Sequence, residues 1–135
     1  MDWVTSIHQA IQYIEEHLRE DLTIREIAHQ AALSPFYFQK GFAMLCGMTV
    51  GDYIRQRRLS AAGLEILTTD QKIIDIALEF GYDSPDSFTK AFTRFHGLTP
   101  AALRKSGGAV RSFAPLRIKV TLEGGQNMDC KIMKK

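Results

Sequence analysis

Two short stretches of this sequence carry side chains suited to reading a polyanion, and they carry them twice. At about 100° per residue around a helix, a segment that turns Phe38, Phe42 and Leu45 inward presents Phe36, Lys40 and Ala43 on its opposite side, with Gln39 at the margin. A later segment that turns Phe88, Phe92 and Phe95 inward presents Asp86, Lys90 and Thr93, with Thr89 at the margin. Amide, ammonium, hydroxyl and small apolar groups suit base-pair edges in a DNA major groove. Gln pairs with adenine, Lys donates to guanine, and a ring or methyl meets the thymine methyl. One surface Lys or Thr on a helix is ordinarily just solvated. Recurrence at matched positions is what gives these weight.

Groove-reading groups need others that hold the phosphate backbone. Arg55, Arg57 and Arg58 lie between the two stretches. Arg55 and Arg58 are candidates for phosphate, and Arg57 is equally suited to an intramolecular ion pair. Arg94 is a further backbone candidate. Ser34 and Ser84 stand just before the two stretches, where a hydroxyl and the unpaired amides of a helix N-terminus can meet phosphate oxygens.

The elements that must position these groups follow from local patterns. Residues 3–18 place Ile7, Ile11, Ile14 and Leu18 on one amphipathic stripe, a first helix. Thr23 and Glu26 have the capping-box form, opening a short helix that runs to about Ala31. Ser34-Pro35 restarts the chain as N-cap and first helical residue, and Gly47 ends that helix. From Thr49 a longer helix of about 18 residues spans roughly 27 Å. The pattern then returns. Residues 73–80 form a short helix, Gly81 turns, Ser84-Pro85 caps again, Gly97 stops the helix, and Thr99-Pro100 opens a last one to about Ser106.

Ile27-Ala28 matches Ile76-Ala77 at an offset of 49. One extra residue in the turn makes the offset 50, and Phe38, Lys40, Phe42, Gly47 and Thr49 then match Phe88, Lys90, Phe92, Gly97 and Thr99. The repeated unit is a helix-turn-helix. The expected fold is all-α: two such units, about 5–48 and 72–106, joined by a connecting helix at 49–67, with a β-forming tail after 107. Recognition helices must sit about 34 Å apart to enter successive major grooves on one DNA face. A connecting helix of this length is of the right order, so one chain could do what dimers usually do.

Composition agrees with a globular chain of 135 residues, 45% hydrophobic. The net charge of +2 is a weak pointer to a polyanion, but its distribution is not even. Residues 1–33 sum to −4 and residues 34–66 to +2, and polyanion affinity needs a basic face, not a basic total. No apolar run is long enough for a membrane span, and no secretory leader is evident, so a cytoplasmic protein without membrane association is the expectation. Cys46 and Cys130 read as free thiols, and the four histidines have no metal-site spacing. No nucleophile elbow, glycine-rich phosphate loop or carboxylate pair is present, so neither catalysis nor a cofactor is expected. The rival to DNA reading is a helical module that binds only protein. Apolar residues along both outward faces would favour it, and by the helical arithmetic only Phe36 fits.

The runs "RLSAAGLEI" at 58–66 and "IIDIALEFGY" at 73–82, followed by Phe88, Phe92, Gly97 and Thr99-Pro100, resemble the signature of the AraC/XylS family of bacterial transcription regulators. The resemblance covers about residues 5–106 and is closest to the branch that includes MarA, SoxS and Rob. It implies two helix-turn-helix modules on one chain that bind asymmetric sites as monomers. Base contacts would come from Phe36, Gln39 and Lys40 in the first unit and from Asp86, Ser87, Thr89 and Lys90 in the second. It also implies double-stranded DNA as partner and, for activation, contact with RNA polymerase. Two positions depart from those relatives: Phe36 stands where Trp is common, and Pro85-Asp86 brings an acid to the groove-facing side. Asp86 could accept from cytosine N4 or repel phosphate.

After Gly107-Gly108, residues 118, 120 and 122 and then 128, 130 and 132 alternate as strands about a turn at Gly124-Gly125. This tail resembles the junction into a GyrI-like effector domain. The expectation is that residues 107–135 are a linker and the first strands of a truncated domain, through which alone a small-molecule effector would act; the alternative is a complete protein whose tail is a hairpin docked on the helices or a disordered segment.

Overall fold

The computed structural model describes residues 2–108, 113–123 and 127–133, with side chains up to residue 116. Its described elements are seven helices followed by two strands. The chain forms two compact units: residues 1–17, 22–54 and 114–135 in the first, and 18–21 and 55–113 in the second.

In the first unit every helix start is capped by a side-chain oxygen. Asp2 accepts from the Thr5 amide at 2.7 Å to open α1 (Trp3–Glu16). Thr23 accepts from the Glu26 amide at 3.1 Å to open α2 (Ile24–Gln30). Ser34 accepts from the Tyr37 amide at 3.3 Å, with Pro35 at the first position of α3 (Pro35–Cys46). Each such cap contributes about 1 kcal/mol. The predicted capping box forms only in half, because the Glu26 carboxylate accepts from the Tyr13 hydroxyl at 3.4 Å instead of reaching back. Helix α1 also stops earlier than its apolar stripe. His17 leaves helical geometry, its Nδ1 bonding the Tyr13 carbonyl at 2.7 Å.

The core of this unit is Ile7, Ile11 and Ile14 from α1, Ile27 and Ala28 from α2, and Phe38, Phe42 and Cys46 from α3. Phe38 and Phe42, both without exposed surface, meet edge to face at 5.9 Å. Burying a ring of this size contributes about 1.5–3 kcal/mol. Cys46 is buried, while the side chain of Cys130 lies outside the described residues.

Helix α4 (Val50–Thr68) is capped by Thr49, which accepts from the Asp52 amide at 3.1 Å. The two compact units divide within this helix and not at its ends. Val50, Tyr53 and Ile54 are buried in the first unit, and Leu59, Ala62 and Ile66 in the second. Thus α4 is structural material for both units, which is why it carries buried residues at both ends.

The second unit comprises α5 (Ile73–Glu79), α6 (Pro85–His96) and α7 (Pro100–Ser106), with the later turns of α4. Its core is Leu59, Ala62, Ile66, Ile76, Ala77, Phe80, Phe88, Phe92 and Leu103. Ser84 and Thr99 repeat the hydroxyl caps, accepting from the Ser87 and Ala102 amides at 3.1 Å each. Gly47 and Gly97 end α3 and α6 in the same left-handed conformation, at φ 73° and 85°.

The turn between the paired helices closes identically in both units. The Leu33 amide donates to the Ala28 carbonyl at 3.0 Å, and the Tyr82 amide to the Ala77 carbonyl at 2.9 Å. The residue before each donor is left-handed. In the second unit it is Gly81 at φ 88°, but in the first it is Ala32 at φ 58°.

In the tail, β1 (Arg117–Glu123) pairs antiparallel with β2 (Asn127–Met133), with Ile118 opposite Ile132, Val120 opposite Cys130 and Leu122 opposite Met128. These are the alternating positions named from sequence, while the turn at Gly124-Gly125 lies outside the described residues. Among the described residues no helix is long and apolar enough to cross a membrane.

Candidate nucleic-acid interface

On α3 the groove-reading candidates stand where the helical arithmetic places them. Phe36, Gln39 and Lys40 are exposed, Phe36 at 66%, and Ala43 is half-buried. The Lys40 ammonium lies 5.9 Å from the centre of the Phe36 ring. Gln39 Nε2 donates to the Pro35 carbonyl at 3.3 Å, one turn back. That weak local bond can be exchanged for an adenine edge at little cost. Ser34 accepts through its hydroxyl oxygen, which leaves the hydroxyl proton able to donate outward.

Two exposed side chains of α3 were missed by sequence reasoning. Tyr37 is 59% exposed and Met44 78%, so the outward apolar surface of the first unit is larger than Phe36 alone. Tyr37, Gly41 and Met44 follow an i, i+4, i+7 spacing of their own, beside the core stripe of Phe38, Phe42 and Leu45. A glycine at the centre of that second stripe was the available signal.

On α6 the same positions hold different chemistry. Asp86, Ser87 and Lys90 are exposed and Thr89 is half-buried. Asp86 and Lys90 form an i, i+4 ion pair at 3.2 Å, with both side chains more than three-quarters exposed. At the helix start, Ser84 and Ser87 are knotted together. The Ser84 hydroxyl donates to Ser87 Oγ at 3.0 Å, and the Ser87 hydroxyl lies 3.0 Å from the Ser84 carbonyl. Thr93 departs from the outward placement expected of it. It is half-buried, and its hydroxyl oxygen is enclosed without a hydrogen-bond partner among the described residues. The hydroxyl therefore turns toward the protein, and only the rest of the side chain can meet a groove.

Between α4 and α6, within the second unit, Arg55, Gln56, Leu59, Ser87, Lys90, Ala91, Arg94 and Phe95 line an open groove of about 720 Å3. Three cations on one apolar-floored groove suit a phosphate backbone. Arg55 and Arg94, the two backbone candidates here, are both exposed.

Arg58 does not join them. It is half-buried, donating from Nε to the Leu18 carbonyl at 2.9 Å and from Nη2 to the Glu20 carbonyl at 2.7 Å. Burial lowers its pKa, opposed by the nearby Tyr82 and Asp21. Its guanidinium fastens residues 18–21 to α4 within the second unit. Arg19 in the same segment pairs with Glu65 and Glu79 and covers the Phe80 ring at 4.8 Å. Burial alone would lower the Arg19 pKa, but the hydrogen bonds to Glu65 and Glu79 outweigh it and raise the value. Arg57 is likewise engaged, donating to the Phe113 carbonyl at 2.7 Å. Adjacent arginines on one helix point a third of a turn apart, and only Arg55 reaches the α6 groove.

A helix-turn-helix domain profile matches residues 27–106. The regulatory protein SoxS of Escherichia coli K12 is 40% identical over 98 residues, covering 73% of this chain and 92% of SoxS. The transcriptional activator AarP of Providencia stuartii is 34% identical over 114 residues, 84% of each chain. The chain spans only 35% of the length of another relative, the HTH-type transcriptional regulator YbfP of Bacillus subtilis, at 36% identity. Among solved structures, the DNA-binding domain of AdpA in complex with a target DNA superposes with a TM-score of 0.69 at 26% identity, covering 75% of this chain and 91% of that one. The C-terminal domain of AraT from Geobacillus stearothermophilus gives 0.71 at 26% identity, covering 83% and 92%.

Proposed function

Because this chain belongs to the AraC/XylS family of transcription regulators, in the branch of SoxS-like proteins, we propose that it binds specific DNA sites through α3 and α6 and activates transcription from them. DNA-binding transcription regulation is the family's work. The residue assignment is our own. The observation that carries it is the duplicated second helix: Ser-Pro start, buried Phe pair, and an exposed Lys midway on the opposite side.

Base reading falls to Phe36, Gln39 and Lys40 on α3, and to Asp86, Ser87, Thr89 and Lys90 on α6, with Ala43 and the methyl of Thr93 as apolar contacts. Phosphates fall to Arg55, Arg94, Ser34, Ser84 and the N-terminal amides of the two helices. Arg58 leaves the backbone set, because its guanidinium is committed to two carbonyls. Helix α4, 19 residues long, spans about 28 Å at 1.5 Å per residue. Activation further calls for contact with RNA polymerase, and the location is the cytoplasm, where the DNA is.

Selecting binding sites from random DNA tests this reading. The expected outcome is a motif with two conserved blocks about one duplex turn apart. Recovery of no motif would sink sequence reading, and a single short block would confine it to one unit.

A further inference from the structure

Beside the base-reading face of α3 lies an apolar groove that DNA contact leaves unexplained. Trp3 of α1 and Tyr37, Lys40, Gly41, Met44 and Leu45 of α3 line about 470 Å3, all within the first unit. Sites for small organic ligands typically enclose about 300–1,000 Å3. Gly41 makes the groove possible: a Cβ at that position would run into the Trp3 indole, so the ring packs directly on the helix backbone. Trp3, Tyr37 and Met44 are all substantially exposed at this spot.

The charge of the lining is one-sided. Among the described residues Lys40 is its single cation, and no carboxylate lines it. Asp2, next to Trp3, has its carboxylate engaged by the Thr5 amide. An apolar wall with one ammonium is complementary to an amphipathic organic anion, whose hydrocarbon body covers the aromatic and thioether surface while its carboxylate meets Lys40.

We propose that this groove binds such an organic carboxylate and that occupancy withdraws Lys40 from DNA. The binding half stands on the groove alone, and the competition half rests on the DNA role proposed for Lys40. A carboxylate seated in the groove cancels the charge that Lys40 offers to DNA and holds the ammonium toward the groove, so ligand and DNA become antagonists. The site sits on the DNA-reading unit itself.

Trp3 is the chain's only tryptophan, so its fluorescence reports the groove directly. The full chain is titrated with decanoate below its micelle threshold, with decanol as the uncharged control. A saturable change with decanoate is expected, at least tenfold weaker for decanol and for Lys40→Met, a surface change that leaves the core untouched. Gly41→Ala, which displaces the indole, should abolish saturation. An absence of saturation, or equal binding of decanol, or undiminished binding by Lys40→Met, would overturn the site. Saturating decanoate should then weaken binding to the selected DNA at least fivefold, and unchanged DNA affinity would overturn the competition. If Lys40→Met binds that DNA as well as wild type, the base-reading assignment fails, yet the fluorescence titration still decides the groove.

Discussion

On α3 the Lys40 ammonium faces an aromatic ring, whereas on α6 the Lys90 ammonium faces a carboxylate. The surrounding framework is the same in both units, from the serine cap and following proline to the buried Phe pair and terminal glycine. The chemistry on offer is not. A cation over an exposed ring gives up about 0.5–1 kcal/mol on leaving it, and the ring remains to pack on a thymine methyl. Lys90 must share its charge with Asp86, and any phosphate that approaches meets Asp86 as well. Duplicated architecture therefore does not mean duplicated reading. In the proposed assignment the first unit would carry the stronger sequence preference, and the second would add weaker base contacts to the backbone hold of Arg55, Arg94 and the groove between α4 and α6.

The shared framework can be challenged most severely in the core. Phe38→Ala and Phe88→Ala each remove a fully buried ring, and each should cost about 3–5 kcal/mol in urea unfolding. Similar costs would confirm equivalent cores. A cost under about 1 kcal/mol in either unit would show that its ring pair is not the keystone.

The reading difference comes next in size. Lys40→Ala should lose about 1–3 kcal/mol at the selected DNA site while sparing random DNA. Lys90→Ala should lose less than half as much, since its ammonium is already partly neutralised. Equal losses in a titration of both variants would erase the distinction between the units. Arg55→Ala should weaken all DNA alike and make the logarithmic salt dependence shallower by about 0.9. An unchanged slope would remove Arg55 from the backbone set.

Asp86→Asn probes the ion pair from its other side. Freed of its partner, Lys90 should tighten binding to every DNA sequence by about 1 kcal/mol at low salt, fading as salt rises. If binding weakens at only one base position instead, Asp86 is itself a reader, accepting from cytosine, and the second unit carries more preference than its charges imply.

What the sequence made legible was whatever repeats or caps. Helix limits marked by Ser34-Pro35, Gly47, Ser84-Pro85, Gly97 and Thr99-Pro100 fall where those residues predict, because a capping hydroxyl or a left-handed glycine acts locally. The core rings were legible through their spacing. Long-range competition was not. Arg58 is bound by carbonyls 38 and 40 residues away, Glu26 by the Tyr13 hydroxyl, and helical arithmetic knows neither partner. It also gave Thr93 an outward hydroxyl that the structure encloses. The apolar groove escaped because it needs Trp3 from another helix to meet Gly41. For the second unit, helical arithmetic offered Asp86, Thr89, Lys90 and Thr93 and the MarA-like resemblance added Ser87, and the ion pair between Asp86 and Lys90 now qualifies both.

The smallest expected effect lies in the turns, where one backbone shape is built from two residue types. Ala32 and Gly81 occupy the same left-handed corner. An alanine there is strained by about 1–2 kcal/mol because its Cβ crowds the following carbonyl, and glycine escapes that at an entropic cost in the unfolded chain. Ala32→Gly should therefore stabilise the protein by about 0.5 kcal/mol net. The reverse change at the other corner should cost more. A Cβ at Gly81 would stand 3.3 Å from Arg58 Nη1, and that guanidinium cannot easily yield while it is tied to the Leu18 and Glu20 carbonyls. Gly81→Ala should thus lose about 1 kcal/mol or more. Thermal unfolding of the two variants reads both signs directly. If Ala32→Gly lowers the melting temperature, the first turn is held by packing strong enough to make its strain irrelevant, and the two corners are alike in shape but not in energy.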